Sequence, residues 1–135
     1  MRRYMGNIKE FEDHYNKACE GLEEKKNALL KELGIEDVRC GFHIGPGWFP
    51  VVAQTLRDMK EAGWTGKLAQ VKQKFTGLRI YIDDADSKLY DFIAEAEKKC
   101  FYLCEICGGK RENIHDNFGM ALCKTCDDLS CKEED

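Results

Sequence analysis

The sequence predicts an α+β fold with a long N-terminal helix, a small core of helices and one β-hairpin, and a cysteine-rich C-terminal ribbon. Three patterns support this prediction. An apolar stripe with spacings of three and four residues runs along residues 8–33. Apolar and polar residues alternate between residues 69 and 83. Near the C-terminus, cysteines form the pattern Cys-x2-Cys-x15-Cys-x2-Cys.

The chain of 135 residues can bury one modest core plus a small appendage. We therefore divide it into residues 1–34, the N-terminal helix, residues 35–100, the α+β core, and residues 101–135, the ribbon with an acidic tail. The net charge of −4 disfavours a general nucleic-acid coat, which depends on a surplus of Lys and Arg. The sequence contains neither a membrane-spanning apolar stretch nor the apolar run of a signal peptide after its first arginines. We expect a cytoplasmic protein that is not bound to a membrane.

The first predicted element is a single helix over residues 8–33. Asn7, followed by Glu10, is typical of an N-terminal cap, and Gly34 stands where a glycine ends a helix. The stripe either packs on the rest of the chain or forms a homodimer contact through residues 8–33. Its apolar positions are Ile8, Phe11, Tyr15, Ala18, Leu22, Leu29 and Leu33.

A loop rich in glycine and proline, residues 40–50, precedes the second helix. Pro50 suits the first turn of a helix that runs to about Ala62 before Gly63. The loop would place Trp48 beside the helix N-terminus, where unpaired N–H groups favour an anion. Trp48 is therefore a candidate ligand-binding residue.

Trp48 and His43 each have a second interpretation. Trp48 and Phe49 could instead form a hydrophobic plug against Val52 and Leu56. His43 is an isolated histidine, which is typical of a hydrogen-bonding residue more often than of a metal ligand or a base. The sequence leaves both questions open.

The segment from residue 69 to 83 is predicted to be a hairpin with Thr76 and Gly77 as its two-residue turn. A turn at that position fixes which residues face each other across the strands. Gly77 could alternatively mark a bulge in one continuous strand. The predicted pairs are Phe75 with Leu78, Lys74 with Arg79, Gln73 with Ile80, Lys72 with Tyr81, and Val71 with Ile82.

This predicted register gives the hairpin one apolar face and one cationic face. The cationic face contains Lys72, Lys74, Arg79 and Tyr81, and the apolar face has Gln73 as its polar exception. Residues 62–82 contain four basic residues and no acidic one, although the chain as a whole is acidic. An anionic ligand would explain this concentration of positive charge, and a solubilising edge would explain it as well.

A further helix is predicted over residues 88–100, with Asp86 or Ser87 as its cap. Three acidic residues, Asp83, Asp84 and Asp86, precede this helix and could indicate a metal-dependent enzyme. The helix dipole alone, however, favours acidic residues at that position. The sequence contains no nucleophile–base pair, open metal site or phosphate-binding loop. We therefore expect a protein that is not an enzyme.

The spacing of the four C-terminal cysteines is typical of a tetrahedral zinc site. Four thiolates leave no open position for water, so the predicted zinc is structural. Disulfides or a redox Cys-x2-Cys are alternatives that a reducing compartment disfavours. Gly108 follows the first pair and can adopt the positive φ that such a turn needs. Cys100 and Cys131 could each be a spare thiol or could replace one of these four ligands. The predicted ligands are Cys104, Cys107, Cys123 and Cys126.

Three segments stand out: Gly-Trp-Phe-Pro at 47–50, Val-Lys-Gln-Lys-Phe-Thr-Gly-Leu-Arg-Ile-Tyr at 71–81, and Cys-Glu-Ile-Cys-Gly-Gly with Leu-Cys-Lys-Thr-Cys within 104–126. Together, over roughly residues 42–126, they resemble a family of small zinc-ribbon proteins carried by bacteriophages and prophages. The resemblance implies a phage or mobile-element setting, and hence the cytoplasm of a host cell, but no reaction. The matching residues are Trp48, Lys72, Lys74, Phe75, Arg79 and the four cysteines.

These observations lead us to expect a zinc-stabilised binding protein. Its ligand would be a small anion with an aromatic base, such as a nucleotide, held by Trp48 and by the cationic face of the hairpin. In a phage setting the protein could counter host defence by sequestering a nucleotide signal. The alternatives are a protein-interaction module that inhibits a host protein, and a binder of short single-stranded nucleic acid.

Overall fold

The computed structural model describes residues 8–83, 86–111 and 121–126. It confirms the α+β fold class, with a small sheet, several helices and a C-terminal cluster of cysteines. The side chains of Ile8 and Phe11, together with Asn7, Asp84 and Cys131, lie outside this description. The elements in chain order are α1 (Ile8–Ala18), α2 (Leu22–Leu33), β1 (Phe42–His43), α3 (Phe49–Glu61), β2 (Leu68–Lys74), β3 (Gly77–Ile82) and α4 (Ser87–Phe101).

The sheet has three strands in the order β1-β2-β3, with β1 parallel to β2 and β2 antiparallel to β3. Helix α4 packs against β3 and against α3, so the two helices cover one face of the sheet. The other face carries polar and charged side chains. The buried core between sheet and helices includes Val52, Leu56, Met59, Val71, Leu78, Ile80, Leu89, Ile93 and Ala96.

The single N-terminal helix that the sequence predicts is divided in two. Helix α1 ends at Ala18, and Gly21, with φ 76°, starts α2 from a left-handed conformation that glycine adopts without strain. Gly34 ends α2 as predicted, again in the left-handed conformation. The break changes the direction of the chain, so α1 and α2 contact different parts of the protein.

The apolar stripe of these helices is used within the chain. Leu29 and Leu33 of α2 belong to the main core, whereas Tyr15 and Ala18 of α1 pack on the cysteine cluster. Leu22 is also buried. These described residues of the stripe therefore pack within the chain, and the homodimer contact through residues 8–33 stays a prediction.

The apolar stripe has a gap between Leu22 and Leu29, and Lys26 lies in that gap. Its side chain is buried, its Nζ donates a hydrogen bond to the carbonyl oxygen of Phe42 at 2.9 Å, and the ammonium lies 5.4 Å from the centre of the Phe42 ring. Burial lowers the pKa of Lys26. This contact attaches α2 to β1 through a backbone acceptor and an aromatic face.

The hairpin register differs from the prediction by two residues. Lys72 faces Arg79 and Lys74 faces Gly77, so the turn consists of Phe75 and Thr76 instead of Thr76 and Gly77. A shift of two residues keeps every side chain on its predicted face, because successive strand residues alternate between faces. The predicted sorting of the two faces is therefore confirmed, except for Phe75, which was expected inside and is exposed at the turn.

Helix α4 begins as predicted. The side chain of Asp86 accepts a hydrogen bond from the backbone N–H of Lys88 at 2.9 Å, which caps the helix. Within the described ranges, no helix combines the length and the apolar character needed to cross a membrane.

Candidate functional site: a four-cysteine centre beside a cationic sheet face

The structure brings together the four cysteines that the spacing predicts. The sulfur atoms of Cys104, Cys107, Cys123 and Cys126 all lie within 4.8 Å of one another, and Cys107 Sγ is 3.6 Å from Cys123 Sγ. A tetrahedral ion with metal–sulfur bonds of about 2.3 Å requires sulfur atoms roughly 3.8 Å apart. The cluster can therefore hold a metal ion, and four thiols are the donor set that is typical of a structural zinc site.

The backbone around the first cysteine pair supports this geometry. Gly108 has φ 78°, as predicted from its position, and the N–H of Gly109 donates to Cys107 Sγ at 3.3 Å. The Cys104 N–H donates to the carbonyl oxygen of Gly109 at 2.8 Å, which closes the turn. Hydrogen bonds from backbone N–H groups fix the orientation of the sulfur ligands.

Local contacts in the cluster favour the ionised form of Cys104. A hydrogen bond from Cys126 lowers the pKa of Cys104 to about 4, although burial opposes this shift. The same contact, reinforced by burial, raises the pKa of Cys126, and burial also raises the pKa of Cys107. Metal binding at neutral pH would therefore use one existing thiolate and release protons from the neighbouring thiols.

Cys100 is not part of the cluster. Its side chain is fully buried in the main core, and burial raises its pKa to about 12, so it remains a neutral thiol. The other candidate spare thiol, Cys131, lies outside the described residues.

His14 is a residue near the cluster that the sequence analysis did not single out. Its Nε2 lies 3.2 Å from Cys126 Sγ, across a sequence separation of 112 residues. When Cys126 binds a metal as a thiolate, it can only accept a hydrogen bond, so the imidazole must donate one. The neighbouring Tyr15 and Ala18 pack on the same small core. Helix α1 is thus held against the cysteine cluster by both polar and apolar contacts.

Removing this hydrogen bond should weaken metal binding. We expect His14→Phe to lower metal affinity roughly 10- to 100-fold, since the loss of an outer hydrogen-bond partner has effects of that size. His14→Gln keeps an N–H donor and should retain more of the affinity. Competition with a coloured zinc chelator measures both variants. Equal affinity of wild type and His14→Phe would show that the ring contributes no such hydrogen bond.

The Gly-Pro-Gly sequence before α3 contacts the backbone of the cysteine cluster. The N–H of Gly47 donates to the carbonyl oxygen of Glu105 at 2.8 Å. A Cβ atom on Gly45 would overlap the Glu105 carbonyl, and one on Gly47 would overlap the Cys104 carbonyl and the Gly108 N–H. These glycines are therefore required by the close approach of two backbones. The sequence analysis recognised a defined loop here but not its contact.

The structure contradicts the ligand-binding role predicted for Trp48. Its side chain is 0% exposed, and its Nε1 donates to the Leu103 carbonyl oxygen at 2.9 Å. A ring enclosed in this way cannot stack on a ligand. The alternative interpretation is correct, since Trp48 belongs to the same core as Val52 and Leu56.

Glu105 lies between Cys104 and Cys107 in the sequence. It explains why Gln73, a polar residue, lies on the inner face of the hairpin. It is 5% exposed, and its Oε1 accepts hydrogen bonds from Gln73 Nε2 at 3.3 Å and from the Ala121 N–H at 3.2 Å. Burial raises the pKa of Glu105, while these donors oppose the shift. Gln73 therefore faces inward because it connects strand β2 to the cysteine cluster.

A cavity of about 390 Å³ lies between the α1–α2 break, β1 and Glu105. Lys26 contributes an ammonium group to its wall, but Glu23 and Glu105 contribute carboxyl groups. Tyr15 also lines it, and burial raises the pKa of this phenol to about 12. Because the lining carries charges of both signs, the cavity does not favour the anion that the sequence predicts.

The cationic residues of the hairpin do lie together on the open face of the sheet. His43, Lys72 and Arg79 are paired across the three strands, so they form one row, with neighbours roughly 4.8 Å apart. Lys74 and Tyr81 lie on the same face. Lys74 follows Lys72 by two residues towards the turn, and Tyr81 follows Arg79 by two residues away from it. Lys72, Lys74, Arg79 and Tyr81 thus share one surface, which we call the sheet face, and His43 joins it. Their role in ligand binding stays a prediction. The sequence analysis left the role of His43 open because the parallel β1–β2 pairing has no local signal.

Comparison with protein-family models, with curated proteins and with solved structures gives no match. The resemblance to phage zinc-ribbon proteins therefore remains a prediction from the motifs.

Proposed function

We propose that this chain is a non-enzymatic, zinc-stabilised binding protein whose sheet face binds a nucleotide-like anionic ligand. The observation that supports this best is the row of His43, Lys72 and Arg79 across the three strands, with Lys74 and Tyr81 beside it. Like charges on neighbouring strands destabilise a sheet by a few tenths of a kcal/mol or more. A bound phosphate would offset that repulsion through charge-assisted hydrogen bonds.

The correction at Trp48 changes which residue would contact the base. Tyr81 is 43% exposed on the sheet face, and Lys72 Nζ lies 6.0 Å from the centre of its ring. A base stacked on Tyr81 would therefore place its phosphate beside Lys72. With Trp48 in the core, Tyr81 takes over the role of the aromatic contact.

The metal has a supporting role in this proposal. The cysteine cluster holds Glu105 and, through it, Gln73 of strand β2, which is the strand that contributes Lys72 and Lys74. Four thiolates at this spacing are typical of a structural zinc site. In the phage setting that the motifs imply, sequestering a nucleotide signal of host defence is the role we propose.

Charge reversal on the sheet face tests the proposal. Lys72→Glu combined with Lys74→Glu should weaken binding of a fluorescent adenine nucleotide roughly 100-fold or more, because each charge-assisted contact contributes about 1.5–3 kcal/mol. Folding should be retained, since both side chains point away from the core. Nucleotide titration and thermal unfolding measure the two effects.

A matched control separates local charge from net charge. Lys88→Glu with Lys98→Glu makes the same change in net charge on the exposed surface of α4 and should leave binding almost unchanged. The proposal fails if the sheet-face variant binds as well as wild type, or if both double variants lose binding equally.

A further inference from the structure

The sheet face and its hairpin turn carry two pairs of one aromatic ring and one lysine. In the first, Lys72 Nζ lies 6.0 Å from the centre of the Tyr81 ring. In the second, Lys74 Nζ lies 5.5 Å from the centre of the Phe75 ring. In each pair the ammonium group lies over one face of the ring in a cation–π contact. A stacked base would therefore use the opposite face or displace the lysine, and its phosphate would lie near the ammonium group.

Phe75 is exposed in a way that folding alone does not explain. It is 80% exposed, the largest exposed fraction among the large apolar side chains described. Its backbone φ is 53° and that of Thr76 is 61°, in the left-handed region that aromatic and β-branched residues rarely adopt. Gly77, the residue suited to such a turn, comes directly after it. Strain of this kind at an exposed position is typical of functional sites.

The two rings are too far apart for one nucleotide. Tyr81 is four positions from Gly77 along β3, a distance of roughly 14 Å at about 3.4 Å per residue, and Phe75 lies beyond Gly77 in the turn. Bases stacked on each other are only about 3.4 Å apart. A ligand that contacts both rings must therefore be an extended chain with separated bases, as on other sheet surfaces that bind single strands.

The positive charges lie between the two rings. Lys72, Lys74 and Arg79 occupy the face from the Tyr81 position to the turn. The Arg79 guanidinium is already used within the chain, since its Nη1 donates a hydrogen bond to the Leu78 carbonyl oxygen at 2.8 Å. Burial raises the pKa of Glu97 in α4, and the charge of Arg79 opposes this shift. Lys72 and Lys74 are therefore the cations best placed to contact phosphate groups.

We propose that the ligand of the sheet face is a single-stranded nucleic acid, with one base stacked on Tyr81, another on Phe75, and the intervening phosphates contacted by Lys72 and Lys74. This inference rests on the proposed function, that the sheet face binds a nucleotide-like anion, and names a nucleic-acid strand in place of a nucleotide signal as the ligand. The turn holds Phe75 outward as the second stacking surface, and the unfavourable backbone conformation is the cost of that position.

The test uses the full-length protein and fluorescence anisotropy with labelled 12-nucleotide oligo(dT), the matching oligo(U), a labelled mononucleotide and a 12-base-pair duplex. We expect either single strand to bind at least tenfold more tightly than the mononucleotide or the duplex. Binding should weaken steeply as salt is raised, since counterions are released. Tyr81→Ala should weaken single-strand binding roughly 5- to 150-fold, the range for loss of one stacked base.

Phe75→Asn is the decisive variant. Asparagine tolerates the left-handed conformation, so the turn should become at least as stable as in wild type while the ring is lost. Single-strand binding should fall roughly 5- to 150-fold, mononucleotide binding should not change, and the melting temperature should not fall. Tyr90→Ala removes another exposed aromatic ring, from α4, and should have no effect on binding.

The outcomes separate this inference from the proposed function. If the mononucleotide binds as tightly as the single strand and Lys72→Glu with Lys74→Glu abolishes both, the two-ring inference is wrong and the proposed function stands. If Phe75→Asn binds the single strand as wild type does, the second stacking surface is refuted. If none of the probes binds, both proposals fail together.

Discussion

Cys104→Ser should release the metal and unfold the segment around the cysteine cluster. The small core there consists of Cys104, Ile106, Leu122 and Cys126, and half of these residues are themselves ligands. In zinc-finger peptides the metal contributes roughly 10–16 kcal/mol of apparent binding free energy, which becomes folding free energy. We expect loss of stoichiometric zinc in elemental analysis and a large fall in melting temperature, reproduced in wild type by a strong chelator.

Cys40→Ser is the control for this substitution. Cys40 is exposed and does not belong to the cluster, so its replacement should change neither zinc content nor stability. Freshly purified wild-type protein without stoichiometric metal would contradict the zinc site. A Cys104→Ser variant as stable as wild type would contradict its structural role.

Gly47→Ala should destabilise the protein by about 3 kcal/mol or more. Its Cβ would overlap two backbone groups, the Cys104 carbonyl and the Gly108 N–H, which cannot move aside as a flexible side chain can. Overpacking of a rigid interior typically costs about 1–3 kcal/mol and occasionally more. The substitution should also weaken zinc binding, because Cys104 is a ligand. Thermal or denaturant unfolding of the metal-loaded protein measures the loss.

Gly63→Ala is the control for Gly47→Ala. It shows how much stability is lost through backbone conformation when the new methyl group meets no other atom. Gly63 has φ 108°, so alanine is strained there, but nothing lies within 4 Å of the new Cβ. Its cost should be on the order of 1 kcal/mol, from conformation alone. If both variants lost equal stability, the contact between the glycine loop and the cysteine cluster would not be the reason for Gly47.

The metal ligands, the apolar core and the helix ends were predictable because each has a local signal. A fixed cysteine spacing, alternation along a strand, and Gly34 after an apolar stripe all act over short stretches of chain. Gly21 was the available signal for the break between α1 and α2. It was missed because the apolar spacing continues across it, and an isolated glycine within such a pattern is ambiguous.

The hairpin register could not be obtained from the same signals. Registers two residues apart bury the same side chains, so the apolar pattern does not distinguish them. Turn chemistry favours glycine in the turn, and the structure instead places Phe75 and Thr76 there. The pairing of His43 with Lys72 and the reach of Gln73 to Glu105 belong to tertiary structure, which no local pattern records.

Trp48 and the glycines before it were misinterpreted for a related reason. A helix N-terminus after a glycine-rich loop is typical of an anion site, and the same residues are equally suited to close packing. Only the folded chain shows that this loop faces Glu105 and that the indole donates to Leu103.

The position of Trp48 gives the protein an intrinsic optical signal for metal binding at the cysteine cluster. The indole donates a hydrogen bond to the carbonyl oxygen of Leu103, the residue directly before Cys104 of the cluster. The only other tryptophan, Trp64, follows the opposite end of α3, roughly 20 Å away for a helix of 13 residues, and is also buried. Emission from Trp48 should therefore change as the ion leaves, while Trp64 reports on the main core. The order in which the two parts of the molecule open can be followed without attaching a dye.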